Sequence, residues 1–126
     1  MPRIAAIEAL VVNVSPKTNW TFLSVTTDAG TTGWGECSLN RWEPLLTAYA
    51  EILAKDMVGR DVAAAADGIR YLLHSPGGLV AHAVRSALEQ ALTDVSAQLA
   101  AKAAAINDTQ LARTWELWLR QVGTIE

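Results

Sequence analysis

Short apolar stretches separated by turn-forming residues fill the first forty positions of the chain, and this pattern predicts β-strands. The predicted strands are Ile4–Val14, Trp20–Thr27 and Gly33–Leu39. Odd and even positions of the first strand are both largely apolar, so we expect both of its faces to be covered. Because the connections at Ser15–Asn19 and Asp28–Gly30 are short, an antiparallel β-meander is the natural topology.

Apolar residues recur every three or four positions after residue 43, where alanine and leucine become frequent, and this pattern predicts helices. Pro44 and Asp61 suit helix starts, whereas Gly59 and Ser75–Gly78 suit helix ends. The predicted helices are residues 44–59, 61–73 and 79–102, with residues 107–121 as a fourth if the last segment folds. Strands followed by helices, without βαβ alternation, indicate an α+β fold: a three-stranded antiparallel β-meander followed by a bundle of three to four helices.

The last part of the chain differs from the rest. We expect residues 1–102 to form one domain and residues 103–126 to form a divergent C-terminal tail, one helix packed on the same domain. Leu111, Trp115, Trp118 and Val122 fall on one face of this helix. The stripe predicts that both tryptophans are buried, either in their own subunit or in a partner. The alternative is an accidental stripe on a tail that does not fold.

Composition and charge narrow the classes of function. With 51% hydrophobic and 18% charged residues, the chain is too apolar to be disordered. The net charge of −3 argues against nucleic-acid binding, which needs a basic surface. No apolar run approaches the ~18 residues of a membrane span. The N-terminus lacks a signal-peptide pattern, so we expect a cytoplasmic protein with neither nucleic acid nor membrane as a partner.

Three glycines and one carboxylate near the second turn are candidates for chemistry. Gly30, Gly33 and Gly35 faintly resemble a phosphate-binding loop, but no helix opens on them, so hairpin and bulge glycines are the better interpretation. Glu36 could act as a general base or a metal ligand. One carboxylate does not make a magnesium site, so a hydrogen bond to nearby backbone or to an arginine is the better interpretation.

Two histidines and one cysteine are the other reactive side chains. His74 and His82 flank the glycine pair of a predicted helix break, and a surface or capping role is better supported than metal binding. Cys37 has no second cysteine for an internal disulfide and is most simply a small strand residue. The residues therefore predict neither a catalytic group nor a metal site in this chain.

Aromatic and cationic residues gather around two predicted loops. The loops are Ser15–Asn19 and Asn40–Arg41, and the nearby aromatic residues are Trp20, Trp34 and Trp42. Lys17, Asn19 and Arg41 add cationic and hydrogen-bonding groups. Such a set suits an acidic, hydroxylated small molecule, because lysine and arginine pair with carboxylates. Core aromatics with solvated charges at their rim would give the same pattern, and the residues alone favour that explanation.

Four segments, taken in order, resemble a known family. They are Ile4–Ala9 (IAAIEA), Thr26–Glu36 (TTDAGTTGWGE), Gly59–Asp61 (GRD) and Ala87–Val95 (ALEQALTDV). In this order and spacing, over about residues 3–102, the chain resembles the N-terminal capping domain of the enolase superfamily. The likeness is to the branch of mandelate racemase and muconate lactonizing enzyme.

This resemblance implies a two-domain plan. In the family, an α+β capping domain is followed by a modified TIM barrel, which holds the acid–base residues and the ligands of an essential Mg²⁺ ion. The barrel stabilises an enolate formed next to a carboxylate, and two mobile capping-domain loops close over the substrate and select it. The Asn19-Trp20 loop looks most like that of acid-sugar dehydratases. The loop positions implied as substrate contacts are Ser15, Lys17, Thr18, Asn19, Trp20, Asn40, Arg41 and Trp42.

After Lys102 the chain departs from the family pattern. A TIM barrel needs ~200–250 residues, and Ala103–Asn107 does not resemble the family's entry into its barrel. A reading-frame change near Lys102 would explain this departure. We therefore expect a truncated or stand-alone capping domain, without a cofactor of its own and inactive alone.

Two alternatives stay open. One is half of an enzyme, completed in trans by a separate barrel and acting on a small carboxylate or acid sugar. The other is a repurposed interaction module. A capping domain without its barrel would expose an apolar face, so a homo-oligomer is expected, most simply a twofold dimer.

Overall fold

The predicted α+β architecture is confirmed. The computed structural model describes residues 2–123, in which a three-stranded antiparallel sheet is followed by three helices. The strands are β1 (Ile4–Ser15), β2 (Thr18–Thr27) and β3 (Thr32–Glu36), and the helices are α1 (Glu43–Met57), α2 (Val62–Leu73) and α3 (Leu79–Gly123). The chain divides into two compact units, residues 1–96 and 97–126.

The sheet of the first unit has a covered face and an open face. Its strands follow the order β1–β2–β3, and alternate residues along each strand point to opposite faces. Leu23 and Val25 of β2 are fully buried on the face that packs against the helices. The open face carries large side chains that are 38–49% exposed, namely Leu10, Val12, Trp20 and Trp34.

The prediction that both faces of β1 are covered is wrong for the second half of this strand. Ile4 is buried at its start, but Leu10 is 48% and Val11 41% exposed. The physical reason is that Leu10 lies on the open face, and that β1 is an edge strand, so its side chains have strand neighbours on one side only. An apolar pattern shows which residues favour burial, but not whether a neighbouring element reaches them.

Gly33 and Gly35 bring β3 close to α3. A Cβ atom on Gly33 would collide with the backbone of Ala91 and Val95, and one on Gly35 with the backbone of Ala87. The pairing of β3 with β2 is regular throughout, so these two are not bulge glycines as predicted. They are contact glycines that let a helix backbone approach a strand.

Side chains of α3 also close the outer edge of β3. The backbone N–H of Trp34 donates to Oδ2 of Asp94 at 3.1 Å, and that of Glu36 donates to Oε1 of Gln90 at 3.3 Å. Unpaired N–H groups on an edge strand would otherwise be open to another chain. The glycines and these two helix residues thus fix α3 along β3.

Arg85 of α3 joins the three helices of the first unit. Its side chain is buried and donates from Nε to the hydroxyl of Tyr49 in α1 at 3.0 Å. Nη1 donates to the backbone carbonyls of Leu72 and Ser75 at 3.1 Å each, at the end of α2. The Leu72 carbonyl also accepts from the Ser75 backbone N–H at 3.0 Å, so the guanidinium adds a second bond there and supplies a donor to the Ser75 carbonyl just beyond the helix.

Helix α3 continues through the segment expected to form a separate fourth helix. A new helix start at Asn107 is not observed, because residues 100–105 are rich in alanine and a mid-helix asparagine costs only about 0.7 kcal/mol. None of the helices within residues 2–123 is long and apolar enough to cross a membrane. The predicted boundary at residue 102 and the packing of the tail stay predictions.

The two tryptophans of the tail are exposed in the single chain. Trp115 is 58% and Trp118 53% exposed, and every side chain from Ala100 to Gln121 is exposed. Their burial within their own subunit is therefore not observed, whereas their burial in a partner stays a prediction. The side chain of Val122, the last member of the predicted stripe, lies outside the described residues.

Candidate functional site

The connection between β1 and β2 is a tighter hairpin than predicted. Ser15 pairs with Thr18, so only Pro16 and Lys17 form the turn, and Thr18 and Asn19 already belong to β2. The backbone N–H of Lys17 donates to the Ser15 hydroxyl at 3.3 Å, which is a local turn stabilised by a serine. Ser15 therefore shapes the turn, and Lys17 stands at its tip.

The second loop runs from the end of β3 to the start of α1, because β3 ends at Glu36 rather than at the predicted Leu39. The N–H of Trp42 donates to the Leu39 carbonyl at 3.0 Å, which closes a β-turn. Arg41, the third residue of this turn, has a φ of 75°. Glycine or asparagine is normal in this left-handed conformation, so the arginine is held there under strain.

Asn19 ties the two loops together. Its backbone N–H donates to Oδ1 of Asn40 at 2.9 Å, and its side-chain Nδ2 donates to Oε1 of Glu43 at 3.2 Å. Its Oδ1 accepts a hydrogen bond from Nδ2 of Asn13 at 2.8 Å. One amide side chain therefore links β1, β2 and the start of α1, and it fixes the hairpin against the second loop.

An open depression of about 460 Å³ lies between the loops, and its lining residues are Asn13, Pro16, Lys17, Thr18, Asn19, Asn40, Arg41 and Glu43. Five of the eight predicted loop positions thus lie around one space. Trp20 and Trp42 do not line it, and the ring of Trp20 instead makes an edge contact with Phe22, at 6.4 Å between centroids.

Three lining residues were missed by the sequence analysis: Asn13, Pro16 and Glu43. Asn13 is the register partner of Asn19, so a correct two-residue turn would have brought it to the site. Glu43 is the first residue of α1 and stands next to the predicted loop. Pro16 lay inside the predicted loop but carries no group that suggests binding.

The depression carries two cationic side chains and one carboxylate, those of Lys17, Arg41 and Glu43. A hydrogen bond from its own backbone N–H lowers the pKa of Glu43, and bonds from Asn19 and from the Arg41 backbone lower it further. Glu43 is therefore ionised and already engaged in positioning the loops. The excess of positive charge and the amide groups suit an anion that also carries hydroxyl groups.

Candidate side chains for acid–base or metal chemistry have local roles in the part of the chain that the structure describes. Residues 2–123 contain no cluster of three or more His, Cys, Asp or Glu side chains that could hold a metal ion, so they do not fit a magnesium site. The Glu36 carboxylate accepts a hydrogen bond from the Ser38 hydroxyl at 3.0 Å. His74 is the C-cap residue of α2, in keeping with a capping role.

Cys37 is buried directly after β3. Burial, and then the neighbouring Glu36 charge, raise the pKa of this thiol to about 11. The thiol is therefore protonated near neutral pH and is a poor nucleophile, because the thiolate is the reactive form.

Relatives of the chain share its fold and part of its sequence. A D-galactonate dehydratase family member from Streptomyces bingchenggensis (strain BCW-1) is 37% identical over 70 residues, which is 55% of this chain and 16% of the relative. A D-mannonate dehydratase from Caulobacter sp. (strain K31) is 32% identical over 98 residues, 75% of this chain and 24% of the relative. The chain therefore spans a quarter or less of the length of these two relatives.

A solved structure of the enolase superfamily also shares the fold of this chain. The crystal structure of an enolase from Agrobacterium radiobacter, bound to sodium and L-malate, matches with a TM-score of 0.62 and 26% identity. The match covers 78% of this chain and 25% of that one. Residues 6–107 also match the family model described as mandelate racemase / muconate lactonizing enzyme, N-terminal domain. The chain therefore belongs to this family, the N-terminal capping domains of the enolase superfamily.

Proposed function

We propose that residues 2–102 form the cap over the active site of a sugar-acid dehydratase and that the depression between the two loops contacts the substrate. The observation that carries this proposal is the meeting of Lys17, Asn19 and Arg41 around one open space. Support also comes from two relatives of this chain that are named as dehydratases of the D-galactonate family and of D-mannonate.

The substrate class follows from the side chains of the depression. The Lys17 ammonium and the Arg41 guanidinium provide charge for a carboxylate, and Asn40 offers an amide for hydroxyl groups. Because Glu43 and Asn13 hold Asn19 in place, the loops are arranged before the substrate arrives. Preorganised contacts lose less conformational entropy on binding than mobile ones.

The proton-transfer residues and the Mg²⁺ ligands of the reaction come, in this proposal, from a TIM barrel. That barrel is supplied in trans, as a separate chain, or as part of a longer polypeptide. The proposal includes a cytoplasmic location, which fits a buried cysteine that is a free thiol. A homodimeric interaction module is the second candidate, favoured by the exposed apolar stripe of the tail.

A domain exchange tests the cap. Residues 1–102 replace the corresponding domain of the Caulobacter D-mannonate dehydratase, and the chimera is assayed with D-mannonate and D-galactonate in the presence of Mg²⁺. We expect magnesium-dependent dehydration above that of the barrel alone. Lys17→Met and Arg41→Met should each raise KM about 10-fold or more, since a charge-assisted hydrogen bond contributes ~1.5–3 kcal/mol.

The matched control is Lys55→Met, which removes an exposed lysine in the last turn of α1. Equal KM values for all three variants and the parent chimera would contradict the proposed contacts. The chain alone, assayed with Mg²⁺ and a panel of sugar acids, should show no turnover. Turnover by the chain alone that disappears on adding a chelator would overturn the proposal that the barrel supplies the catalytic residues and the Mg²⁺ ligands.

A further inference from the structure

An apolar stripe runs along the helix of the second unit. Leu111, Trp115 and Trp118 lie on one face, are more than half exposed, and the two indole rings meet edge to face at 5.7 Å between centroids. Beyond Asp108, the charged residues of this helix lie away from the stripe; they are Arg113, Glu116 and Arg120. A helix with one apolar face gains most of its stability when another element covers that face.

The spacing of the stripe is that of a coiled coil. Positions 111, 115 and 118 alternate by four and three residues, and the same rhythm continues backwards through Asp108 to Ala104 and Ala101. The alanines, like the tryptophans, are exposed in the single chain. One half of the stripe therefore carries small side chains and the other half carries large ones.

This size pattern matches a second copy of the same helix in antiparallel orientation. When Trp118 faces Ala101 of the second copy, Trp115 faces Ala104 and Leu111 faces Asp108, in successive layers. Each tryptophan then packs against an alanine, so the layers have similar volume. A parallel pair would instead set tryptophan against tryptophan and alanine against alanine, which gives crowded layers and empty ones.

The area of the stripe is sufficient for a dimer. Each tryptophan or leucine on or beside the stripe, with Leu119 included, is 53–61% exposed. Large apolar side chains bury ~150–250 Å² each, so the stripe offers about 500 Å² per copy and about 1,000 Å² per pair. That reaches the roughly 1,000 Å² that a specific interface needs, below the ~1,200–2,000 Å² of stable complexes, so we expect a dimer that forms only at high concentration.

We propose that the chain forms a twofold dimer through an antiparallel pairing of residues 101–118, in which Trp115 and Trp118 pack on Ala104 and Ala101 of the second copy. The stripe shares no residue with the depression between the loops, so this dimer goes beyond the proposed capping function. The Asp108 side chains of both copies lie next to the twofold axis. A polar residue in such a seam fixes the register at some cost in stability, and the repulsion between these two like charges adds to that cost.

Light scattering on the full chain, from low micromolar to about 200 µM, tests the dimer. The expected mass at high concentration is twice the 13.5 kDa of one chain. Trp115→Ala combined with Trp118→Ala should weaken association at least 10-fold. Alanine is the best helix former, and both positions are exposed, so the variant keeps the helix.

Leu117→Ala is the matched control, because Leu117 is 61% exposed but lies off the stripe. It should associate like the parent chain. A parent chain that stays monomeric at 200 µM would overturn the proposal. A dimer that survives the double tryptophan change, or that Leu117→Ala weakens as much, would also overturn it.

Disulfide formation tests the orientation. With an antiparallel axis beside residue 108, Asp108→Cys should link two copies under mild oxidation. Ala101→Cys should not, because a rise of 1.5 Å per residue sets its two copies about 25 Å apart. The parent, whose Cys37 is buried, is the unlinked control. Linking at position 101 as readily as at position 108 would contradict the antiparallel arrangement.

Discussion

Replacing Gly35 by alanine tests the close approach of β3 and α3. A Cβ atom at this position would lie 2.7 Å from the carbonyl carbon and 2.9 Å from the Cα of Ala87, and closer still to its oxygen. Backbone atoms in a buried helix cannot rotate aside as a side chain does, so α3 must move away from the sheet. Overpacking costs ~1–3 kcal/mol, and we expect a value near the upper end, roughly 2–3 kcal/mol.

Urea unfolding followed by circular dichroism measures this loss. Gly68→Ala is the matched control, because Gly68 lies inside α2 and an added Cβ would meet nothing within 4 Å. Alanine in place of glycine in a helix interior stabilises by ~0.5–1 kcal/mol. The same chemical change should thus shift the free energy of unfolding in opposite directions at the two positions.

A free energy of unfolding for Gly35→Ala within about 0.5 kcal/mol of the parent, the range of a neutral surface change, would refute the close approach of β3 and α3. A shift of the free energy of unfolding in the same direction for Gly35→Ala and Gly68→Ala would also refute it. Gly33→Ala should resemble Gly35→Ala, because its Cβ would meet the backbone of Ala91 and Val95. Hydrogen bonds from Trp34 and Glu36 to α3 should lengthen in either variant, which amide exchange of these two groups would detect.

Three further predictions concern single side chains. Arg85→Leu should cost about 2–4 kcal/mol in urea unfolding, because it removes the buried donor to the Ser75 carbonyl and to the Tyr49 hydroxyl. Exposed Arg70→Ala should change stability by less than about 0.5 kcal/mol. Arg41→Gly should be about 1 kcal/mol more stable than Arg41→Ala, since only glycine relieves the positive φ, and equal melting curves would refute this. The Cys37 pKa is raised from 9.0 to about 11, so its contribution to stability is intact below pH 9 and is lost as the pH rises from 9 towards 11. Cys37→Ala should flatten that part of the pH–stability curve.

The strands and the first two helices could be predicted because turn-forming residues separate them. Pro16, Gly30 and the segment 75–78 lie between elements, and Pro44 lies in the first turn of α1. Proline fixes the backbone locally, whereas glycine permits turn conformations that other residues avoid, such as the φ of 79° at Gly30. The end of α3 was missed because the alanine-rich segment before Asn107 contains no residue that stops a helix. Local sequence thus determines boundaries where a residue either forbids the regular conformation or permits a turn that others avoid.

The candidate site was predicted only in part, because some of its residues are recognisable from local sequence and others depend on tertiary structure. Lys17 and Arg41 are cationic residues within predicted loops. The resemblance of the chain to the capping-domain family predicted that these two loops lie together. Asn13 depends on the register of β1 and β2, which a slip of one residue would change. Arg85 was missed because its partners are mostly backbone carbonyls, which every residue has and no sequence pattern reveals.

The two proposals rest on different residues and can fail separately. Capping depends on Lys17, Asn19 and Arg41 in residues 1–96, whereas self-association depends on Trp115 and Trp118 in residues 97–126. The chimera contains only residues 1–102, so its activity is measured without the tryptophan stripe. A chain that dimerises through the stripe but gives an inactive chimera would favour the interaction module. An active chimera in which Arg41→Met raises KM, together with a full chain that stays monomeric, would favour the cap alone.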